Sequence, residues 1–333
     1  LVENVPVSGS LSATHAAQVY KVSTQPGDRF YLVASGPAGQ SGRLTVFNAQ
    51  GSQLALGQLP NAQHELVGGS QVEDYYIVLD SDFMNTGTLP FTLGLTRVQE
   101  TSSTTVIGDF VSGTLALPGQ YHSYQLSLAD TTRFVVAGSG DGMRWRLQAV
   151  GGNPGSWSSF SVDPTDTPVQ WFNAGDYILT VSTTNLSGAD YRVQLLDLTN
   201  APALPVDGVT ATLLQGRDAI AYGFDLSTNQ RMRVSIDTLD SAKLGWVIYG
   251  GWNGQQSIMT SSTGVSLDTD QLNAGHYTLV MYGNGLPTES VSFTASISPV
   301  PIVPLTLGAV ISGSFPTTGN QVDYEFTLTE TTK

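Results

Sequence analysis

The chain has 333 residues, 40% of them hydrophobic and only 12% charged, with a formal net charge of −14. So acidic a surface repels phosphate backbones and anionic lipid, which excludes nucleic-acid binding and argues against membrane association. The absence of cysteine excludes a disulfide scaffold, a thiolate metal site and a cysteine nucleophile, and no run reaches the ~18 apolar residues of a membrane-spanning helix. Lys21, Lys243 and Lys333 are the only lysines. The polar surface is left to Ser, Thr, Asn, Gln and Gly, as suits a soluble β-protein at the bacterial cell surface or outside the cell. The start at Leu1, with no methionine or signal peptide, reads as a processed or excised beginning.

Short apolar-polar alternation broken by Gly, Asn, Asp and Pro predicts strands throughout. The pattern repeats. Tyr20, Tyr124, Tyr222 and Tyr324 recur about every 100 residues. A small residue precedes each at a fixed interval (Gly9, Gly113, Ala211, Gly313), and a basic residue follows each at a fixed interval (Arg29, Arg133, Arg231, Lys333). Each repeat opens with a strand at the small residue and continues with the tyrosine strand. Next come an apolar strand after the basic position, another such as Leu44 to Phe47, Trp145 to Val150 or Trp246 to Tyr249, and then a Gly-rich turn. Late in the repeat a second signature appears, Asn173-Ala174-Gly175-Asp176-Tyr177 and Asn273-Ala274-Gly275-His276-Tyr277, with a degenerate copy ending in Tyr75. A closing strand follows. Some seven or eight strands per module is the number expected of a two-sheet sandwich.

The predicted organisation is all-β: a tandem array of antiparallel, jelly-roll-like β-sandwich modules over residues 1–97, 98–199 and 200–298. Residues 299–333 form a Pro-rich linker and the first strands of an incomplete fourth repeat. Linkers are expected at 98–108, 200–206 and 299–304, semi-rigid where they carry proline, with modest contacts between neighbouring modules. Two strands cannot bury a core alone. The fourth repeat therefore leads to an expectation that the chain continues past Lys333 or that another copy completes it by strand complementation.

Gly319-Asn320-Gln321-Val322-Asp323-Tyr324-Glu325-Phe326, Ala174-Gly175-Asp176-Tyr177 and Ala274-Gly275-His276-Tyr277 together resemble the bacterial pre-peptidase C-terminal repeat family. The resemblance implies jelly-roll-like sandwiches of secreted bacterial proteins, set beside peptidase domains or in surface arrays, some of which bind a polymeric substrate or calcium. The chain departs from the pattern before the first tyrosine: only the fourth repeat has the aspartate, Asp323, where the others have Val19, Ser123 and Ala221.

The repeated tyrosines, Tyr75, Tyr177 and Tyr277 included, read as core rings whose hydroxyls reach nearby turns. Arg29, Arg133 and Arg231 read as strand-start residues paired with a local carboxylate or carbonyl. Asp80 with Asp82, Asp163 with Asp166, Asp237 with Asp240, and Asp268 with Asp270 are possible calcium ligands, but none has the Asp-x-Asp-x-Asp-Gly loop spacing, and solvated turns are the plainer reading. Trp145, Trp171 and Trp246 read as core. Trp157 and Trp252, in or beside Gly-rich turns, are the candidates for stacking on a sugar or a protein partner. His15, His64, His122 and His276 share no metal-ligand spacing, and no catalytic motif stands out. No cofactor is expected. The reading is a non-catalytic stalk, spacer, adhesive or fibre-forming segment. Its partners are neighbouring repeats or further copies of the chain, with a polysaccharide or protein polymer as a further possibility. The alternative is a substrate-binding accessory region of a secreted hydrolase or peptidase.

Overall fold

A computed structural model describes residues 1–12, 16–81, 87–140, 142–152, 157–159, 169–183, 188–214, 217–250, 257–261, 263–284, 289–314 and 322–328. The first module contains β1 (Val7–Leu11), β2 (Ala17–Thr24), β3 (Arg29–Ser35), β4 (Gly42–Asn48), β5 (Gln53–Gln58), β6 (Asn61–Val67), β7 (Glu73–Ser81) and β8 (Leu89–Arg97). The second contains β9 (Gln99–Thr104), β10 (Phe110–Leu115), β11 (Gln120–Leu128), β12 (Thr132–Ser139), β13 (Met143–Ala149), β14 (Ser158–Ser159), β15 (Gln170–Phe172), β16 (Gly175–Thr183) and β17 (Ala189–Asp197). The third contains β18 (Val209–Leu213), β19 (Ala219–Leu226), β20 (Gln230–Asp237), β21 (Leu244–Gly250), β22 (Ser257–Ser261), β23 (Leu267–Leu272), β24 (Gly275–Gly283) and β25 (Val291–Pro299). Two short strands, β26 (Ile302–Pro304) and β27 (Asp323–Glu325), follow.

The first module orders its strands β1-β8-β3-β6 in one sheet (sheet I) and β2-β7-β4-β5 in the other (sheet II). All of these pairings are antiparallel. This is the eight-strand, double Greek-key order of a jelly roll. The second and third modules repeat it strand for strand, with sheet I as β10-β17-β12-β15 and β18-β25-β20-β23. Sheet II is β14-β13-β16-β11 with β9 added at its edge, and β19-β24-β21-β22. Each module encloses its own apolar core. Leu32, Leu44, Ile77 and Leu93 are buried in the first, Phe134, Leu179 and Val193 in the second, and Val234, Trp246, Leu279 and Ala295 in the third.

The recurring small residue has a packing cause. Gly9 lies opposite Phe91, Gly113 opposite Tyr191, and Ala211 opposite Phe293 across the first and eighth strands. The aromatic ring folds over the position: a Cβ on Gly9 would sit 2.7 Å from Phe91 Cζ, and one on Gly113 would sit 3.0 Å from the Tyr191 hydroxyl. Tyr20 meets the same ring edge-on, with centroids 6.4 Å apart, and the Tyr124 hydroxyl bonds that of Tyr191. A Gly9→Val substitution is therefore expected to destabilise the first module by roughly 1–3 kcal/mol through overpacking. Urea denaturation checks it, and an unchanged midpoint would refute the packing account. In the late signature, Gly175 and Gly275 both start the seventh strand with φ near +150° (151° and 154°), a backbone conformation that side chains disfavour.

The segments read as linkers are strands or strand-like. Residues 99–104, expected to connect two beads, form β9 and pair in parallel with β11, so that Tyr124 faces Ser103. Ala203 bridges Gly223 in the same parallel sense, and β26 pairs with β27 so that Tyr324 faces Val303. The hydrogen bond that closes each pairing recurs: Thr105 N–H to Gln125 O at 2.9 Å, Leu204 N–H to Gly223 O at 2.7 Å, and Leu305 N–H to Glu325 O at 2.7 Å. Serine, threonine and proline fit here because an edge strand needs partners on one side only. The fourth repeat departs from expectation at its start, since Gly313 and Ser314 form no strand.

Candidate functional site: the seams between modules

At two junctions the outward face of one module's sheet I meets the outward face of the next module's sheet II. The first seam is polar. From β3 and β6 come Arg29, Tyr31, Gln63 and Glu65; from β9, β11 and β13 come Glu100, Tyr121, Ser123, Arg144 and Arg146. Arg29 pairs with Glu65 at 2.8 Å and Glu100 at 2.9 Å. The Tyr121 hydroxyl donates to Glu65 at 2.7 Å, Arg144 donates to the Tyr31 hydroxyl at 2.8 Å, and Tyr31 donates to Gln63 at 2.7 Å. Tyr31 and Tyr121 are buried. Burial, and then the Glu65 carboxylate, push the Tyr121 phenol far above its usual range, while burial lowers the Arg146 guanidinium below its ordinary value. A seam of this kind owes its orientation to charge-assisted bonds, since desolvation offsets much of their energy.

The second seam is apolar. Val135, Ala137, Leu196 and Leu198 of the second module form one cluster with Ala219, Ala221, Val247, Tyr249, Val280 and Tyr282 of the third. At its rim Arg192 holds Asp218 with two bonds of 2.7 and 3.3 Å, and Thr278 donates to Leu198 O at 2.8 Å. Beyond the third module, Arg231 reaches Asp323 at 2.8 Å. The contacts between neighbours are therefore continuous sheet faces, where the sequence had suggested modest ones.

The residues singled out from sequence fall mostly on this frame. Tyr75, Tyr177 and Tyr277 are buried, and their hydroxyls donate to main-chain carbonyls of Val67, Asn173 and Asn273 at 2.8, 2.9 and 2.8 Å. Tyr75 shares that one proton between Val67 O and a Glu73 carboxylate oxygen 2.7 Å away, and its phenol is pushed up to about 12 by burial first and Glu73 second. Tyr124 is buried and Tyr20 and Tyr222 are half-buried, whereas Tyr324 is 42% exposed, so the core reading fails for the fourth copy, where the described residues place no second sheet over it. Arg29 and Arg231 pair with carboxylates, but these lie across a seam as well as locally. Arg133 instead stacks its guanidinium over Trp171, 5.2 Å from the ring centre. Trp171, read as core, is 51% exposed on β15; its register opposite Arg133 turns it outward. Trp145 and Trp246 are buried in their cores.

Trp157 folds back onto sheet II of its own module. It lies against Arg144 and Arg146 at 4.5 Å each, and edge-on to Tyr121. Beside it a notch of about 390 Å³ is lined by Gly140, Gly142, Met143, Arg144, Ser158 and Ser159. Trp252, Asp82, Asp163 and Asp166 lie outside the described residues, as do His15 and Lys333. Asp80 accepts from Arg43 at 3.0 Å, Asp237 and Asp240 are exposed at a strand end and turn, and Asp268 is clamped by Arg233 at 2.7 and 2.8 Å. Among the described residues no three acidic or histidine side chains converge as a metal site.

His64 and His122 are partly buried, and burial holds both below the usual histidine value. The unfolded chain therefore takes up protons near pH 6.5 before the folded chain does, and stability falls as pH drops through that point. Asp28 and Asp74, held low by hydrogen bonds from Arg97 and Lys21, lose their contribution only in the more acid carboxylate range. The melting temperature should fall between about pH 7.5 and about pH 5.5. The fall should be smaller in a His64→Gln, His122→Gln double variant, and an equal fall in both proteins would discard the histidine account.

No family model matches the chain, and no curated protein matches it. Among solved structures, the pre-peptidase C-terminal domain of a Bacillus anthracis collagenase is 14% identical over 28% of this chain and 94% of its own, with a TM-score of 0.25. A chain from the structure of Sulfolobus turreted icosahedral virus is 13% identical over 88% of each chain, with a TM-score of 0.19. A chain from a structure described as the triple jelly roll fold and turret assembly of an archaeal virus is 14% identical over 87% of each, with a TM-score of 0.19. These are remote likenesses, and the assignment as stacked jelly rolls stands on the chain's own strand order.

Proposed function

We propose that this chain is a non-catalytic, extracellular bacterial spacer: a stalk segment whose jelly rolls are stacked to hold a fixed separation. The observation that carries this reading is the paired device at each junction. One module's sheet I lies on the next module's sheet II, and the connecting residues pair with the edge of the receiving sheet, as the strand β9 at the first junction and through a single bridge from Ala203 to Gly223 at the second. Modules joined this way lose the independent rotation that a free linker permits. The lack of cysteine, the scarcity of lysine and the Ser/Thr-rich surface suit a place outside the cell. Small-angle scattering of the chain is expected to fit one rigid particle. A profile that requires an ensemble of module orientations would sink the spacer reading.

A second reading, a substrate-binding accessory region like those of the pre-peptidase C-terminal family, is supported by the notch beside Trp157 and the two guanidinium groups stacked on that ring. Retention on an insoluble polysaccharide or fibrous protein, lost in Trp157→Ala, is its test. Passage of the wild-type chain through every such matrix would count against it.

A further inference from the structure

The first seam does not balance its charges. The guanidinium groups of Arg29, Arg144 and Arg146 enter it, and the carboxylates that face them are those of Glu65 and Glu100, both paired with Arg29. Among the described residues neither Arg144 nor Arg146 forms an ion pair, so positive charge exceeds negative there by one. Hydrogen bonding is unbalanced in the same place. Arg144 donates to the Tyr31 hydroxyl, but its Nε and that of Arg146 are buried with no partner. Ser182 on β16 lies opposite Arg144 on one side and Tyr121 on the other; it is 0% exposed and its hydroxyl is likewise unpaired. Buried polar groups are almost always satisfied, so such a cluster calls for an acceptor. A water would accept these bonds without offsetting the charge; an anion does both.

The notch beside Trp157 gives solvent access to this cluster. Arg144 lines it, and Ser159, directly opposite Arg144 across β13 and β14, lines it too. The Trp157 ring is already engaged by the guanidinium groups of Arg144 and Arg146, at 4.5 Å each. It braces both cations at the notch. What the notch offers a ligand is therefore charge and hydrogen-bond donors, with the aromatic face already in use.

We infer that the notch is an oxyanion site, which takes a carboxylate or sulfate group at Arg144 and Ser159 with Arg146 supplying the balancing charge. A guanidinium suits either group, since its planar N–H pairs can meet two oxygens at once. The group is free or borne by a polysaccharide; in its borne form the inference rests on the accessory-region reading and gives that ligand its charge. The net charge of −14 opposes long-range attraction of any anion. Binding therefore comes from these few groups at contact distance and persists at physiological salt, where charges more than about 8 Å apart are screened.

The test is isothermal titration calorimetry of the 333-residue chain at constant ionic strength, with sulfate, trigalacturonate and neutral maltotriose as probes. The wild type is expected to bind an anion and to ignore maltotriose. Tighter binding of trigalacturonate than of sulfate marks a polymer ligand, and binding of sulfate alone marks a free-ion site. Arg146→Gln removes the unmatched charge. Ser159→Asp, at an exposed position, sets a carboxylate opposite Arg144 as a built-in competitor. Each should weaken anion binding at least about tenfold without lowering the melting temperature, since neither side chain holds an ion pair in the seam. No binding of either anion overturns the inference, as does equal affinity for maltotriose or undiminished anion binding in either variant. Maltotriose bound in place of the anions would remove the site and leave the accessory-region reading standing, whereas sulfate bound without trigalacturonate would keep the site and count against that reading.

Discussion

Replacing Asp218 with alanine is expected to destabilise the junction of the second and third modules by about 3 kcal/mol. Asp218 has a side chain only 5% exposed, and its partner Arg192 is 23% exposed. Removing the carboxylate leaves a guanidinium largely cut off from water over the Phe110 ring, 3.8 Å from its centre. The intact pair is worth far less than this loss suggests, because two desolvated charges roughly repay their own burial; the cost comes from leaving one unpaired. The apolar cluster behind the pair should keep the modules in contact, so the effect should appear as a lower urea midpoint with the third module unfolding first. Asp218→Asn, which retains an acceptor, should cost clearly less. A change below about 1 kcal/mol in Asp218→Ala would mean that solvent reaches Arg192 freely.

Trp246→Ala should be costlier still, at about 3–5 kcal/mol. The indole is fully buried at the centre of the third core, and its Nε1–H donates to Val265 O at 3.0 Å. Truncation leaves both a cavity and an unpaired carbonyl. Trp171→Ala supplies the control. That ring is 51% exposed, and its loss should shift stability by no more than about 0.5 kcal/mol. If the two variants unfold alike, the assignment of one ring to a core and the other to a surface is wrong.

The module was legible in the sequence because its constraints are local and repeated. A ring over the first strand demands a small residue opposite, and in two modules the late tyrosine follows a turn whose main-chain carbonyl, that of Asn173 or Asn273, takes its hydroxyl. Both leave letters at fixed intervals. The seams left weaker marks. Val135, Val247 and Val280 stand in unbroken apolar runs, such as Phe134-Val135-Val136-Ala137, which signal strands covered on both faces; that mark was available and unread. Tyr31, in the run Phe30-Tyr31-Leu32-Val33-Ala34, carries the same mark, whereas Arg144 and Glu65 carry none, since outward polar residues of a buried polar seam have the alternation of a solvent-facing sheet. The connecting strands were hidden for a related reason: an edge strand rich in serine, threonine and proline has the composition of a loop. Trp171 was misplaced because a three-residue strand gives too few positions to tell its faces apart.

The path from β8 to β9 passes through a single residue, Val98. Segments of this composition are ordinarily where a chain accepts insertions freely. Here one added residue would reverse which side of β9 each following side chain occupies, since strand side chains alternate, and Glu100 would turn away from Arg29. Variation in length should therefore be tolerated at the turns around each sandwich and resisted at its joints. The stretches that look most like spacers are the ones that set phase.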